Sequence, residues 1–242
     1  MKVVALGVGS GFAMEQFHTN FLVQVGYSNI LVDAGTTIRY SLAKQGLSMQ
    51  DITHIFITHF HHDHAGGLSE LLLKSYWTFE DGVHKPHIPT VVIRKEQLND
   101  LAYTLAPNMN NQGKTWRDFC KVVFFEDGQY EISGVTFTCI VTDNLHCDGM
   151  ESYALRIEEK DRNVVLTGDI KKLSESGLLN YIDEQTIAVV QDVTLYENPI
   201  HASMQDVLAY YPADVLERVW AVHYEAVVEA APIPFLKEGQ SL

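Results

Sequence analysis

Six consecutive positions, His59-Phe60-His61-His62-Asp63-His64, carry four candidate donors for divalent metals, His59, His61, Asp63 and His64, with His62 at a variable position expected to face away. They follow Ile55-Phe56-Ile57, which reads as a short apolar strand. Side chains at i and i+2 of extended chain share a face, so His59 and His61 can grip one ion. Asp63 and His64 can then turn to a second. Imidazole and carboxylate without thiolate suit zinc, with manganese and iron left open. A surface loop or an expression tag is the bland alternative. A tag would be contiguous histidine at a terminus, and this run is internal.

The elements that must position these groups can be read from hydrophobic pattern and turn chemistry. Residues 3–6 read as a strand ending in Gly7-Val8-Gly9-Ser10-Gly11, and 21–25 with 30–32 as a hairpin turning near Gly26. Residues 37–45 read as a helix stopped by Gly46, and 66–76 as a Leu-rich helix. The stretch 77–116 is irregular, with three prolines and Asn108-Met109-Asn110-Asn111. It is expected to be an insertion holding a strand at 90–93, a helix at 95–105 and a loop. Further strands are expected at 122–125, 135–141, 153–157, 164–166, 187–190 and 219–222, with a helix at 203–211. Strands outnumber helices, which suits two packed sheets with helices outside.

The chain has 242 residues, 46% hydrophobic and 20% charged, enough for the sizeable core of one domain over residues 1–242. It lacks an apolar run of the roughly 18 residues a membrane span needs. Gly7 and Gly9 interrupt the N-terminus too early for a signal peptide, so a cytoplasmic location is expected. Cys120, Cys139 and Cys147 are odd in number without C-x-x-C spacing and fit reduced thiols. Net charge is −14, and Arg94-Lys95 and Lys171-Lys172 are the only adjacent basic pairs. A large nucleic acid wants a basic footprint, so no such partner is expected.

The spacing H-x-H-x-D-H resembles the metallo-β-lactamase superfamily, which implies an α/β fold of the αββα sandwich type. The resemblance runs from Gly7 to His223. It implies a third histidine for the first metal, His146 after strand 135–141; a bridging aspartate, Asp169 after strand 164–166; and a late histidine for the second, His223 at the end of strand 219–222. The implied set is His59, His61, Asp63, His64, His146, Asp169 and His223 around two zinc ions, with manganese as the alternative metal. Asp63 counts also among the catalytic groups. Two such ions lower the pKa of a shared water, so the implied chemistry is hydrolysis, with a phosphate ester leading. Asp33-Ala34-Gly35 resembles the family's early Asp-x-Gly turn. There Asp33 either orients a ligand histidine or caps the following helix.

Within the superfamily, Leu6-Gly7-Val8-Gly9-Ser10-Gly11 is similar to the opening of the ribonuclease Z branch, which processes tRNA 3′ ends. Val190-Gln191-Asp192-Val193-Thr194 and His201-Ala202-Ser203 resemble that branch's two acid–base motifs. The resemblance makes His201 the general acid and Asp192 its orienter. Two departures stand out. Only one hairpin separates His146 from Asp169, where ribonuclease Z carries a tRNA-gripping arm. The phosphate-clamping loop reads Phe12-Ala13-Met14-Glu15-Gln16-Phe17-His18-Thr19-Asn20, without its basic residues.

A short, armless chain with this opening most resembles the phage anti-Pycsar phosphodiesterases and their bacterial relatives. That implies a homodimer hydrolysing 3′,5′-cyclic nucleotides, cyclic CMP and cyclic UMP included, to nucleoside 5′-monophosphates. The location would be the host cytoplasm for a phage gene. His18 and Asn20 are candidate substrate contacts, and Tyr103, Trp116 and Phe119 a candidate stacking surface or lid. The rivals are a tRNA 3′ endonuclease, a thioester or lactam hydrolase, and a non-catalytic nucleotide sponge.

Overall fold

Alternation along the first strands sets the layers. In the computed structural model, which describes residues 1–110, 112–226 and 231–242, β1 (Lys2–Gly7) turns Val3 and Ala5 to one side and Val4 and Leu6 to the other. Both sides are buried, as a period of two in a covered sheet requires. β2 (Asn20–Val25), β3 (Ser28–Val32) and β4 (His54–Phe56) follow the same rule. Phe21, Val23, Ile30, Val32 and Phe56 face a core shared with a second sheet, while Leu22, Leu31 and Ile55 face helices.

Those helices are α1 (Ile38–Lys44), α3 (Leu68–Tyr76) and α4 (Leu98–Met109). Between α1 and α3 lies a single helical turn, α2 (His62–Ala65). Ile38 and Leu42, Leu68, Leu71 and Leu72, and Leu101, Leu105 and Met109 recur at helical spacing and lie inside. α4 begins later and ends later than expected. The 101/105/109 stripe carries it through Pro107 to the fully buried Met109.

The stretch 77–116 is less of an insertion than its prolines suggest. Only the hairpin of β5 (Phe79–Glu80) and β6 (Val83–His84) stands apart as its own sheet. β7 (Thr90–Ile93) pairs in parallel with β4 on one side and β8 (Lys121–Phe124) on the other, so it is an interior strand of the first sheet. A four-residue apolar run buried on both faces carries no periodicity of its own.

The second sheet comprises β9 (Gln129–Ile132), β10 (Val135–Val141), β11 (Tyr153–Glu159), β12 (Arg162–Leu166), β13 (Thr186–Asp192) and β14 (Val219–Val222). Their spatial order is β14-β13-β12-β11-β10-β9. Phe56 of the first sheet stacks on Phe137 of the second at 4.7 Å between ring centres. α5 (Met204–Tyr210) and α6 (Ala213–Leu216) add Val207 and Val215 to the second sheet's cluster, completing an αββα sandwich. Among the described residues no helix is long and apolar enough to cross a membrane.

β3, β4 and β7 run parallel to one another, as do β12, β13 and β14. β10 and β12 both pair antiparallel with β11 and so point the same way. Their carboxyl ends therefore gather at one edge of the sandwich, where open α/β sheets place their ligands.

Candidate active site

The segments leaving that edge carry every candidate residue of the cluster. β4 runs out through Ile57-Thr58 into His59, and β10 leads by a turn to His146. β12 is followed by Thr167-Gly168-Asp169, β13 ends on Asp192, and β14 is followed by His223. His59 and His61 precede α2 in non-helical chain, whereas Asp63 and His64 lie inside it. That change of backbone is why adjacent residues serve two centres.

The structure brings all seven expected donors together as two overlapping groups. His59, His61, His146 and Asp169 form one; Asp63, His64, Asp169 and His223 form the other. Within each, the donor atoms lie within 4.8 Å of one another. His61 Nδ1 is 3.2 Å from His59 Nε2 and 3.0 Å from His146 Nε2. Asp169 Oδ2 belongs to both groups, 3.8 Å from His59 Nε2, 3.7 Å from His146 Nε2, 3.3 Å from His64 Nε2 and 3.4 Å from His223 Nε2. Asp63 Oδ2 stands 3.1 Å from His223 Nε2. A tetrahedron with ligand bonds of about 2.0–2.1 Å has edges of roughly 3.3 Å, close to these spacings.

A second layer fixes which ring nitrogen faces inward. His64 Nδ1 lies 2.8 Å from Asp33 Oδ2, to which Thr58 Oγ1 also donates at 2.8 Å, while Thr58 N donates to Asp33 Oδ1 at 2.8 Å. Thr58 Oγ1 stands 3.2 Å from His59 Nδ1, so Asp33 reaches a histidine of each group. Asp33 thus orients ligand-type histidines, and its side chain does not cap α1, whose N-cap position is Thr37. His146 Nδ1 donates to the Ile200 carbonyl at 2.6 Å, leaving Nε2 with its lone pair inward. Such outer hydrogen bonds set tautomer and ring angle at metal centres. Asp33 and His223 both adopt left-handed backbone, φ 65° and 62°, a strain that concentrates at functional positions.

The charge pattern fits a cation. Burial, helped by neighbouring imidazoles, holds His59 well below its ordinary range. Burial likewise lowers His61 and His146, so all three present neutral nitrogen. Burial also penalises a charge on His64, but Asp169 and Asp33 outweigh it and lift that imidazole well above its usual value. His223, His64 and His59 keep the buried Asp169 ionised against the cost of desolvation. His64 Nε2 is buried without a hydrogen-bond partner. A field that draws a proton to that nitrogen draws a divalent cation as well, and the donor set, without thiolate, suits zinc or manganese.

Beside this centre His201 Nδ1 is 3.0 Å from Asp192 Oδ2 and 3.7 Å from Asp169 Oδ2. Burial alone would lower the His201 pKa; the Asp192 hydrogen bond and the Asp169 charge reverse the sign and raise it. His61, Asp63, Asp169, His201 and His223 open into a cavity of about 750 Å³, within the range of small-molecule sites. Ser203 caps α5 from the far side of Ala202, accepting from Asp206 N at 3.2 Å, so His201 and the cap occupy one turn.

Two expectations need correction. His18 and Asn20 do not line the cavity. His18 is buried behind α2, its N donating to Thr37 Oγ1 at 2.8 Å, and Asn20 is fully buried with Nδ2 donating to the His18 carbonyl at 2.8 Å. Both hold the loop after β1 in place. Trp116 and Phe119 are core residues packed with α3 and α4, and Tyr103 is exposed outside the cavity lining. The aromatic groups at the mouth are Phe12 and Tyr196, 89% and 81% exposed, from loops the hydrophobic pattern leaves featureless. Thr58 and the Ile200 carbonyl were likewise missed, because nothing local marks a residue that acts through a neighbour. His62 sits at the cavity rim, outside both donor groups.

Comparison with known proteins agrees with this geometry. A curated relative from Bacillus phage 010DV004, the anti-Pycsar protein Apyc1, is 24% identical over 234 residues, covering 93% of this chain and 89% of its own. Among solved structures, the metallo-β-lactamase fold protein YhfI of Bacillus subtilis superposes with a TM-score of 0.76 at 15% identity over 100% of this chain and 98% of its own. The short form of human tRNase Z gives 0.68 at 16% identity over 100% and 98%. At these identities the two structures establish the fold alone. The sequence model of the family described as "Anti-Pycsar protein Apyc1" matches residues 1–240, and the chain belongs to that family.

Proposed function

We propose that the chain is one hydrolase domain, a zinc-dependent phosphodiesterase that opens 3′,5′-cyclic nucleotides, cyclic CMP and cyclic UMP among them, to nucleoside 5′-monophosphates. Doing so would counter Pycsar signalling, and manganese is an alternative metal. The carrying observation is the convergence of two donor groups on Asp169 Oδ2 with an imidazole–carboxylate pair 3.0 Å apart at the same cavity. His59, His61 and His146 would hold one ion and Asp63, His64 and His223 the other, with Asp169 shared. When bound, such ions polarise the phosphoryl group and make water acidic enough to attack near neutral pH.

The chain's own groups supply the rest. Asp63 would hold its ion and take up the proton of the attacking water. His201 would donate a proton to the 3′ oxygen as its bond to phosphorus breaks, and Asp192 would stabilise the imidazolium that precedes transfer. Phe12 and Tyr196, at the mouth, would offer faces to the base. The described residues lining the cavity include Glu197 and Glu225 and no lysine or arginine. A phosphodiester with a single negative charge suits such a lining better than a polyanion such as tRNA, whose binding leans on basic side chains. The reading includes a homodimer and a cytoplasmic site of action, that of the host when the gene is phage-borne.

The test is turnover of a panel of 3′,5′-cyclic nucleotides by zinc-loaded protein, with a tRNA precursor alongside and Asp63→Ala as control. Metal-dependent release of nucleoside 5′-monophosphates, lost in Asp63→Ala, supports the proposal and reads out base preference. Inert cyclic nucleotides with a cleaved tRNA precursor would replace it by the endonuclease reading.

A further inference from the structure

Asp192 is a buried carboxylate, 1% exposed, with two chemically equivalent oxygens and a like charge, Asp169, across His201. Something must decide which oxygen meets the imidazole and stop the group from turning. The Gln191 amide does so from one side: Nε2 donates to Asp192 Oδ1 at 2.7 Å and to the Asp192 carbonyl at 3.0 Å. That leaves Oδ2 for His201 Nδ1. A carboxamide can itself flip, which would present an oxygen to the carboxylate. Tyr211 prevents this, its hydroxyl donating to Gln191 Oε1 at 2.7 Å. Gln191 is fully buried and Tyr211 is 3% exposed, so no bulk water competes for these bonds. Burial also drives the Tyr211 hydroxyl well above its ordinary pKa, which keeps it a donor.

The chain is reinforced by topology. His201 precedes the Ser203 cap of α5, and Tyr211 follows its last residue. Both ends of one short helix therefore return to the carboxyl end of β13, one bearing the imidazole and the other the hydroxyl that locks its carboxylate partner.

We propose that Gln191 and Tyr211 are positioning residues for proton donation by His201, forming the ordered chain Tyr211–Gln191–Asp192–His201. The inference rests on the phosphodiesterase reading, in which His201 protonates the leaving oxygen. Neither residue touches substrate; each acts by restricting Asp192 to one orientation. A merely structural role would make the same bonds matter for folding but not for leaving-group protonation.

The experiment compares two substrates on the zinc-loaded enzyme. Cyclic CMP has a poor alkoxide leaving group that needs a proton, and bis(4-nitrophenyl) phosphate has a good aryloxide that does not. Tyr211→Phe keeps the ring and removes one oxygen. It is expected to lower kcat on cyclic CMP about 3- to 10-fold, the kinetic equivalent of one ordinary hydrogen bond, with KM unchanged. The ratio of cyclic CMP to aryl ester turnover should fall by the same factor. Gln191→Met, which removes both links at similar length, should lower that ratio further. In a His201→Ala background neither change should lower cyclic CMP turnover again, since groups acting as one unit are non-additive. Equal losses on both substrates, full persistence of the loss without His201, or wild-type ratios in both folded variants would overturn the inference. A His201→Ala enzyme whose own ratio matches wild type would instead overturn the general-acid reading beneath it, so the two failures are distinguishable.

Discussion

Asp33→Asn is the most informative single change, because it tests whether a residue outside both donor groups decides which nitrogen of His64 faces inward. The carboxylate accepts three hydrogen bonds at 2.8 Å, from Thr58 N, Thr58 Oγ1 and His64 Nδ1. Asparagine has nearly the same volume and tolerates the left-handed backbone of this position, φ 65°. It has only one acceptor oxygen. If that oxygen stays on Thr58 N, the new NH2 points at His64 Nδ1. His64 then satisfies it by moving its own proton to Nε2, the atom 3.3 Å from Asp169 Oδ2, and can no longer offer a lone pair to a cation. If the amide flips instead, the buried Thr58 N–H faces another donor, at a cost of about 1–3 kcal/mol.

Outer-layer changes of this kind weaken metal binding about 10–100-fold, or about 1.4–2.7 kcal/mol. The loss should fall on the step served by His64. The step served by His59 is reached only through Thr58 and should stay near wild type. Competition of stripped protein with a chromophoric zinc chelator resolves the two steps. The metal-free melting temperature should fall as well, by about 2–4 °C for each kcal/mol lost. Two wild-type affinities in a folded Asp33→Asn protein would refute the tautomer argument.

Two further outcomes follow from the same geometry. Loading both centres at about 100 times each dissociation constant should stabilise the fold by about 5 kcal/mol. That is a rise of about 10–20 °C in melting temperature on adding zinc to chelator-treated protein, and an unchanged melt would count against the metal assignment. Gly35→Ala should destabilise by about 1–3 kcal/mol or more, read as a lower urea midpoint. An added Cβ would stand 1.9 Å from the Asp63 carbonyl oxygen, and the Ala34 N–His64 O bond of 2.6 Å ties the same two segments together. A wild-type midpoint would show that the turn and α2 can part freely.

How far the site could be read from sequence depended on how local each signal is. His59, His61, Asp63 and His64 announce themselves because their spacing is contained in six residues. His146, Asp169 and His223 are single residues whose meaning comes from standing just beyond strands. They were legible through the family resemblance, and the fold supplies the physical reason: β10, β12 and β14 all point to one edge of their sheet. The strand at 90–93 was legible as such, but Pro86 and Pro89 just before it made the stretch look like an insertion and hid the place of β7 inside the first sheet, between β4 and β8.

His18 and Asn20 illustrate the opposite error. Polar residues in a loop beside the site were expected at the substrate. The loop after β1 folds back so tightly that a Cβ on Gly7 would lie 2.0 Å from the His18 carbonyl; the His18 backbone N–H is held by Thr37 Oγ1, and the Asn20 amide is spent on the His18 carbonyl. Exposure in loops, as at Phe12 and Tyr196, and hydrogen bonds across the fold, as from Tyr211 to Gln191 twenty positions earlier, have no periodic signature. The donors of such a centre are types recognisable in sequence. What makes them a centre, namely tautomers, orientations and the exclusion of water, is set by residues of ordinary type, which acquire meaning only when the sandwich closes.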